Sequence, residues 1–387
     1  MSKPDYNDLT VTRLQKLLAD VASRKPIKQA IIAVESADRS FRWIGTEGQI
    51  NSDDAMVCED TPFFLASIDK LYNATIAMIL NETGQLDLDA SISTYLPNTI
   101  TRGLHRYAGI DHSDRITVRH LLSHTSGLAD WLEDYSSTGS RLIDEIIKQG
   151  DLSLTINDLA DLVREQLKSH FPPQDISAKH PKVRYSDTNY MLIIAIIEAV
   201  TGQPLHQVHE QLLYKPRDLR HTYFPGLSEP LDSTSEPMNL HARGEPLHIP
   251  LLMRSIRGIY STAKDTLSFL RQFMRGDMFQ CPETLLIMQR NWNKFGFPMD
   301  RAALHTPGWP IEYGLGIMRF RLPRLLTPLH SMPPVLGHTG STGCWLFYCP
   351  GLDLFLSGSV DEVTAGAIPY RVVPKLLNIL TKRVRLD

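Results

Sequence analysis

From Ile68 to Leu80 apolar residues fall on almost every side of a helical projection, interrupted by Asp69, Lys70, Asn73 and Thr75, with Tyr72 amphipathic. That pattern predicts a helix enclosed by protein rather than one lying on its surface. An amphipathic helix is expected to start near Asp8. "QAIIAVES" and "SFRWIGTEG", separated by Ala37-Asp38-Arg39, read as a β-hairpin. From Thr61 to about Pro250 helical patterns and loops dominate, among them "TVRHLLSH", "LIDEIIKQG", "TINDLADLVREQL" and "NYMLIIAIIEAVTG", the last closed by Gly202 as a C-cap. Strand patterns return in "STGCWLFYC" and "LDLFLSGSV", which flank a Pro350-Gly351 turn. "PYRVVPKLLNILTKRV" reads as a terminal helix in which Pro374 implies a kink or a late start, and the Pro-rich stretch Leu322 to Pro334 reads as a loop.

Strands near both ends with a long helical stretch between them predict a mixed α/β (α+β) fold. One antiparallel sheet is built from both termini and flanked by helices, and a mostly helical lobe sits beside it. The expectation is a single catalytic domain over 1–387, with the sheet region at about 1–60 and 255–387 and the lobe at about 61–254. Forty basic against 43 acidic residues leave a net charge of −3, and no Lys/Arg block suggests nucleic acid or an anionic membrane as partner. The longest apolar run, Met191 to Val200, is broken by Glu198 and too short to span a bilayer. Four cysteines (Cys58, Cys281, Cys344, Cys349) show no C-x-x-C spacing, and the first 25 residues lack an apolar secretion core. A cytoplasmic location with reduced thiols is the expectation if Met1 is the native start.

A lysine in an enclosed helix must find partners or lose its proton. Ser67 lies three residues before Lys70, on the same helical face, at a helix start that favours developing negative charge. A desolvated lysine there can take or shuttle the serine proton. The same S-x-x-K spacing recurs from Ser261 to Lys264, where Thr262 and Asp265 are expected to form a capping box on a surface helix. A second candidate is "YSD", Tyr185-Ser186-Asp187, just before the helix expected near Tyr190. Ser186 or Asp187 is a natural N-cap there, and Tyr185 can serve as a base if Lys70 stabilises its anion. A third is "GHTGSTGCWLFYC", either a glycine-rich turn or a place where the Ser341 N–H and the Ser67 N–H form an oxyanion hole. His120 and His124 have the i, i+4 spacing of zinc ligands but lack the glutamate of H-E-x-x-H, so they are read as histidines packed at a helix end. No G-x-S-x-G is present for a nucleophile elbow.

In order, "SIDK", "YSD" and "HTG" resemble the S-x-x-K, Y-x-N and K/H-T-G motifs of the penicillin-recognising serine hydrolases. The branch most similar comprises class C β-lactamases, D-alanyl-D-alanine peptidases and their carboxylesterase relatives. "HLLSHTSGL" (120–128), "GIYSTAKD" (258–265) and "YGLGI" (313–317) resemble its connecting motifs, so the resemblance runs from about residue 60 to 360. It implies Ser67 as acylated nucleophile, Lys70 as its proton partner and Tyr185 as general base. It also implies a substrate-binding and oxyanion strand at His338, Thr339, Gly340 and Ser341, and a β-lactamase/transpeptidase-like fold. Asp187 departs from the usual asparagine, and either pairs with Lys70 or points away as a helix cap. His338, in place of lysine, is expected to titrate near pH ~6.5 and to favour carboxylate-bearing substrates at low pH. The expected activity is a metal-free, cofactor-free carboxylesterase on small esters. Alternatives are a D-amino-acid peptidase or amidase, an acyltransferase, a weak β-lactamase, or a non-catalytic penicillin-type ligand binder.

Overall fold

The computed structural model describes residues 8–50, 55–175, 177–322 and 332–381. Helix α1 (Asp8–Ala22) starts where expected and buries Leu14, Leu17, Leu18 and Val21, spaced to form one stripe. Each such side chain contributes roughly 1.5–3 kcal/mol before the entropy of ordering is subtracted. The hairpin follows as β1 (Ala30–Ser36) and β2 (Arg42–Glu47), paired antiparallel with Ala33 opposite Ile44.

The main sheet holds six more strands: β3 (Asn293–Lys294), β4 (Ile311–Tyr313), β5 (Met318–Phe320), β6 (Val335–Thr339), β7 (Trp345–Cys349) and β8 (Leu354–Ser359). Their order is β2-β1-β8-β7-β6-β5-β4-β3, all antiparallel. The N-terminal strand β1 therefore pairs with the late strand β8, Ile31 opposite Ser359, and both are buried along their whole length. A sheet made from the two ends of the chain is what the sequence pattern predicts. The Pro-rich stretch read as a loop falls, over 323–331, outside the described residues.

Helices α2 (Asp69–Glu82) and α3 (Asp187–Thr201) form the centre of the lobe. α2 is buried on every side, as its composition requires, and Tyr72 stacks on Phe269 with ring centroids 3.6 Å apart. α3 begins at Asp187, three residues before the expected start, and ends at Gly202 with φ 65°. Helix α4 (Ala263–Arg275) corrects the expectation of a surface helix, because Leu267, Phe269, Leu270 and Phe273 are buried. Its cap is half a capping box: Thr262 accepts from the Asp265 N–H, but the Asp265 carboxylate accepts from His221 N and Thr222 Oγ1 instead. Helix α5 (Pro369–Thr381) contains Pro374 and so forgoes one backbone bond, while Val372, Val373, Leu376, Leu377 and Leu380 hold it in the core shared with α1. The four cysteines are free. Among the described residues no single helix is long and apolar enough to cross a membrane.

Candidate active site

Ser67 sits in a single 3₁₀ turn (Ala66–Ile68) that runs directly into α2. Ala66, one residue earlier, is held at φ 43°, a left-handed conformation that costs a non-glycine residue about 1 kcal/mol or more. Its surroundings enforce it. Leu65 donates its N–H to Ile259 O (2.9 Å), and its carbonyl accepts from Cys344 Sγ (3.1 Å). Gly340, just after β6, lies so close that a Cβ there would come within 2.8 Å of Ala66 Cβ and 3.0 Å of Leu65 O. The glycine of "HTG" is thus the point where the sheet meets the turn that carries Ser67.

Lys70, in the first turn of α2, is 4% exposed and donates from Nζ to Ser67 Oγ at 3.0 Å. The same ammonium lies 2.6 Å from Asp187 Oδ1 and 3.9 Å from Asp69 Oδ1. The buried lysine is therefore paired, and Asp187 takes the ion-pairing alternative rather than pointing away. Burial opposes the ammonium, but Asp187, Tyr185 and Asp69 together raise Lys70 well above its ordinary range.

Tyr185 stands two residues before α3, its ring 4.4 Å from that of His124 and 5.4 Å from Lys70 Nζ. Its hydroxyl is buried and forms no hydrogen bond among the described residues, although Ser67 and Lys70 lie near enough to favour its anion. Burial pushes the phenol well above 10; Lys70 pulls it down and Asp187 pushes it up. The segment is clamped by one residue from much earlier in the chain, 62 positions before Ser186. His124 accepts at O from Arg184 N (3.0 Å) and at Nδ1 from Ser186 N (3.2 Å).

The expected local cap at Ser186 is not made. Ser186 Oγ donates to Ala129 O (2.9 Å), and the first N–H of α3, from Asp187, is taken by Asp130 Oδ2 at 3.1 Å. A carboxylate 57 residues upstream caps the helix, and so fixes the residue that pairs with Lys70.

His338 requires a correction. It is fully buried, with Nδ1 donating to Thr339 O (2.7 Å) and Nε2 accepting from the Tyr313 hydroxyl (2.9 Å). Burial and the nearby Lys70 push its imidazole down to about 3, so it is neutral at physiological pH and offers no charge to a carboxylate. An NMR titration should find the His338 ring resonance, assigned with His338→Gln, unmoved between pH 5 and 8. A midpoint near 6.5 would restore the cationic role. The Thr339 hydroxyl is engaged with another side chain, 2.9 Å from the hydroxyl of Tyr370.

Ser67, Lys70, Asp187 and Ser341 line one cavity of about 110 Å³. Its walls are mostly apolar, including Phe64, Met191, Ile194, Leu252 and Met253. Asp69, Trp131 and Glu133 also line it. Ser261 is elsewhere, buried with its hydroxyl 2.8 Å from Thr222 Oγ1, and His120 caps its own short helix with Thr117. Among the described residues no group of three potential metal ligands converges. Sequence reasoning singled out neither Glu133, Trp131, Tyr313 nor Asp130. The signal available was their place in or just after the connecting motifs "HTSGL" and "YGLGI".

A family model described as Beta-lactamase matches residues 38–360. The chain belongs to the beta-lactamase family. It is similar to the "Putative penicillin-binding protein PbpX" of Bacillus subtilis (strain 168), 25% identical over 66% of this chain and 53% of that protein. It is also similar to "Esterase EstB" of Burkholderia gladioli, 34% identical over 42% of this chain and 38% of that protein. The match thus spans less than two thirds of either relative. Among solved structures, the D-amino acid amidase from Ochrobactrum anthropi SV3 complexed with D-phenylalanine superposes with TM-score 0.72 at 19% identity, over 97% of this chain and 99% of that one. The beta-lactamase-family fold is the one expected from the three ordered motifs.

Proposed function

We propose that this member of the beta-lactamase family is a serine hydrolase that forms an acyl-enzyme on Ser67 and cleaves small carboxylic esters. The observation that carries the reading is the ammonium of Lys70, held 3.0 Å from Ser67 Oγ and 2.6 Å from Asp187. In the first half-reaction Ser67 Oγ bonds to the substrate carbonyl carbon as its proton passes to the Tyr185 phenolate, whose charge Lys70 offsets. The tetrahedral oxyanion is received by the N–H groups of Ser67 and Ser341. Collapse breaks the bond to the leaving alcohol, which takes the proton from Tyr185. Water repeats the cycle on the acyl-enzyme.

Esters are favoured over amides because Asp187 replaces an amide side chain. A carboxylate is acceptor-only, so it repels the carbonyl oxygen of an acylamino group that an asparagine would bind. Names of relatives include both an esterase and an amidase, which supports the chemistry without choosing between them. Asp187→Asn should raise kcat/KM for amide-bearing substrates relative to p-nitrophenyl esters by about fivefold, one neutral hydrogen bond of ~1 kcal/mol. An unchanged ratio would remove Asp187 from substrate choice.

The direct test is a fluorophosphonate probe followed by intact and peptide mass, beside turnover of p-nitrophenyl esters of graded length, nitrocefin and D-alanyl peptides. Label on Ser67 with ester turnover is expected. No label and no turnover would leave a ligand binder.

A further inference from the structure

A second cavity, of about 290 Å³, shares no lining residue with the catalytic one. The short helix Val118–Leu122 contributes Arg119 to it, and the helix Glu283–Arg290 contributes Ile287 and Arg290. Part of the lining is apolar: Leu315 is 8% exposed, and Ile287 packs against the buried core. Two lining residues adjoin the segments that hold the catalytic groups. Ser123 precedes His124, which clamps the Tyr185 segment, and Leu315 precedes Gly316, where a Cβ would lie 3.5 Å from Lys70 O.

The polar groups around this cavity are mostly donors. Arg119 gives Nε and Nη2 to the Asp89 carboxylate at 2.7 Å each, and its Nη1 has no acceptor among the described residues. Among the same residues the Arg290 guanidinium has no partner, and the side-chain amides of Asn291 and Asn293 are equally unengaged. The serine hydroxyls are already committed, Ser123 Oγ to Arg119 O (2.7 Å) and Ser177 Oγ to Asp175 Oδ1 (2.6 Å). Two guanidinium groups against one carboxylate leave the lining with one positive charge in surplus. An exposed arginine alone is ordinary. Set across a cavity from a second arginine, beside two free amides and an apolar wall, it is part of a recognition surface.

We infer that this cavity is a second ligand site, separate from the Ser67 site, which takes a small carboxylate with an apolar body. The planar fork of Arg290 matches the two oxygens of a carboxylate, and such charge-assisted pairs are the strong ones. The amides of Asn291 and Asn293 can donate to the same oxygens. The apolar body rests against Ile287 and Leu315. A neutral amide forgoes the charge-assisted bond, and a cation meets the repulsion of both arginines. Nothing in this inference uses the hydrolase reading of Ser67.

The test titrates the full chain at pH 7 with benzoate, benzamide and benzamidine, rings of one shape carrying an anion, a neutral amide and a cation. Ligand-observed saturation-transfer NMR reads the binding. Benzoate should bind with a Kd of about 1 mM, the scale for a ligand of this size. It should bind at least fivefold more tightly than benzamide, with benzamidine weaker still. Arg290→Glu should weaken benzoate at least tenfold at an unchanged melting temperature, because that side chain has no described partner to lose. Asn291→Asp, which sets a carboxylate in the lining, should weaken it at least threefold. Benzoate can also enter the catalytic cavity, so the titration is repeated after a fluorophosphonate has blocked Ser67, and the Arg290-dependent binding should persist. Equal binding of benzoate and benzamide overturns the inference, as does a benzoate Kd that Arg290→Glu leaves unchanged. Loss of binding on blocking Ser67 also overturns it, by placing benzoate in the catalytic cavity. If Ser67 takes no label, the hydrolase reading fails by itself, and the Arg290→Glu comparison still decides this one.

Discussion

Ser67→Ala should lower ester turnover by about 10⁴-fold or more and abolish fluorophosphonate labelling, because a nucleophile acts as a unit with its base. The fold should be little changed. Ser67 Oγ accepts one hydrogen bond, from Lys70, and that ammonium keeps its ion pair with Asp187 when the hydroxyl is gone. A stability change of about 0.5–1.5 kcal/mol is the ordinary scale for one such bond. Ser261→Ala is the matched control, since Ser261 shares the S-x-x-K spacing but lies buried beside Thr222 Oγ1, outside the cavity. Losing that buried hydroxyl leaves Thr222 short of one partner and should cost about 1 kcal/mol with turnover retained. Urea denaturation gives the stabilities, and p-nitrophenyl ester assays the activities. An inactive Ser261→Ala beside an active Ser67→Ala would place the nucleophile on the wrong serine.

What the sequence makes legible here is what local periodicity and spacing determine. A helix apolar on every side must be buried, so a lysine inside it must be paired or lose its proton, and Ser67 three residues away lies on its face. The hairpin and the late strands are likewise set by alternation and by turn residues within a few positions. Partners that arrive from far along the chain are another matter. Asp130 caps α3 from 57 residues away and displaces Ser186, the residue a local reading selects. His338 has an unperturbed pKa near ~6.5 by residue type, but full burial and Lys70 decide its charge, and neither is visible in "GHTG". Glu133 and Trp131 occupy a stretch without periodicity, and only their place just after the connecting motif "HTSGL" marks them in the sequence. The contact between Ser67 and Lys70 could be named from sequence; the charge balance around it could not.

That charge balance makes the pH dependence of the reaction its most informative property. Tyr185→Phe should cost about 10²–10⁴-fold in kcat/KM, the range of a positioned general base. It should leave thermal stability equal or slightly higher, since the hydroxyl removed is buried without a formed hydrogen bond. The direction of the pH effect follows from the neighbours. Burial raises the Tyr185 phenol above its ordinary 10, Asp187 raises it further and Lys70 lowers it, so the base form is the minority species at neutral pH. Wild-type kcat/KM should therefore climb steadily from pH 7 to 9.5, and the climb should vanish in Tyr185→Phe. Asp187 also raises Lys70, so Asp187→Asn withdraws one negative charge from both members of the pair. Both groups then deprotonate more easily, and the acid limb should move to lower pH by about one unit or more, the scale for a charge within hydrogen-bonding range. Rate profiles on a neutral p-nitrophenyl ester, extrapolated to zero buffer, measure all three proteins. A Tyr185→Phe enzyme that keeps both its rate and its alkaline climb would pass the base role to Lys70. An Asp187→Asn limb that moves to higher pH would contradict the electrostatic account, because no removal of a carboxylate beside these two groups can make them harder to deprotonate.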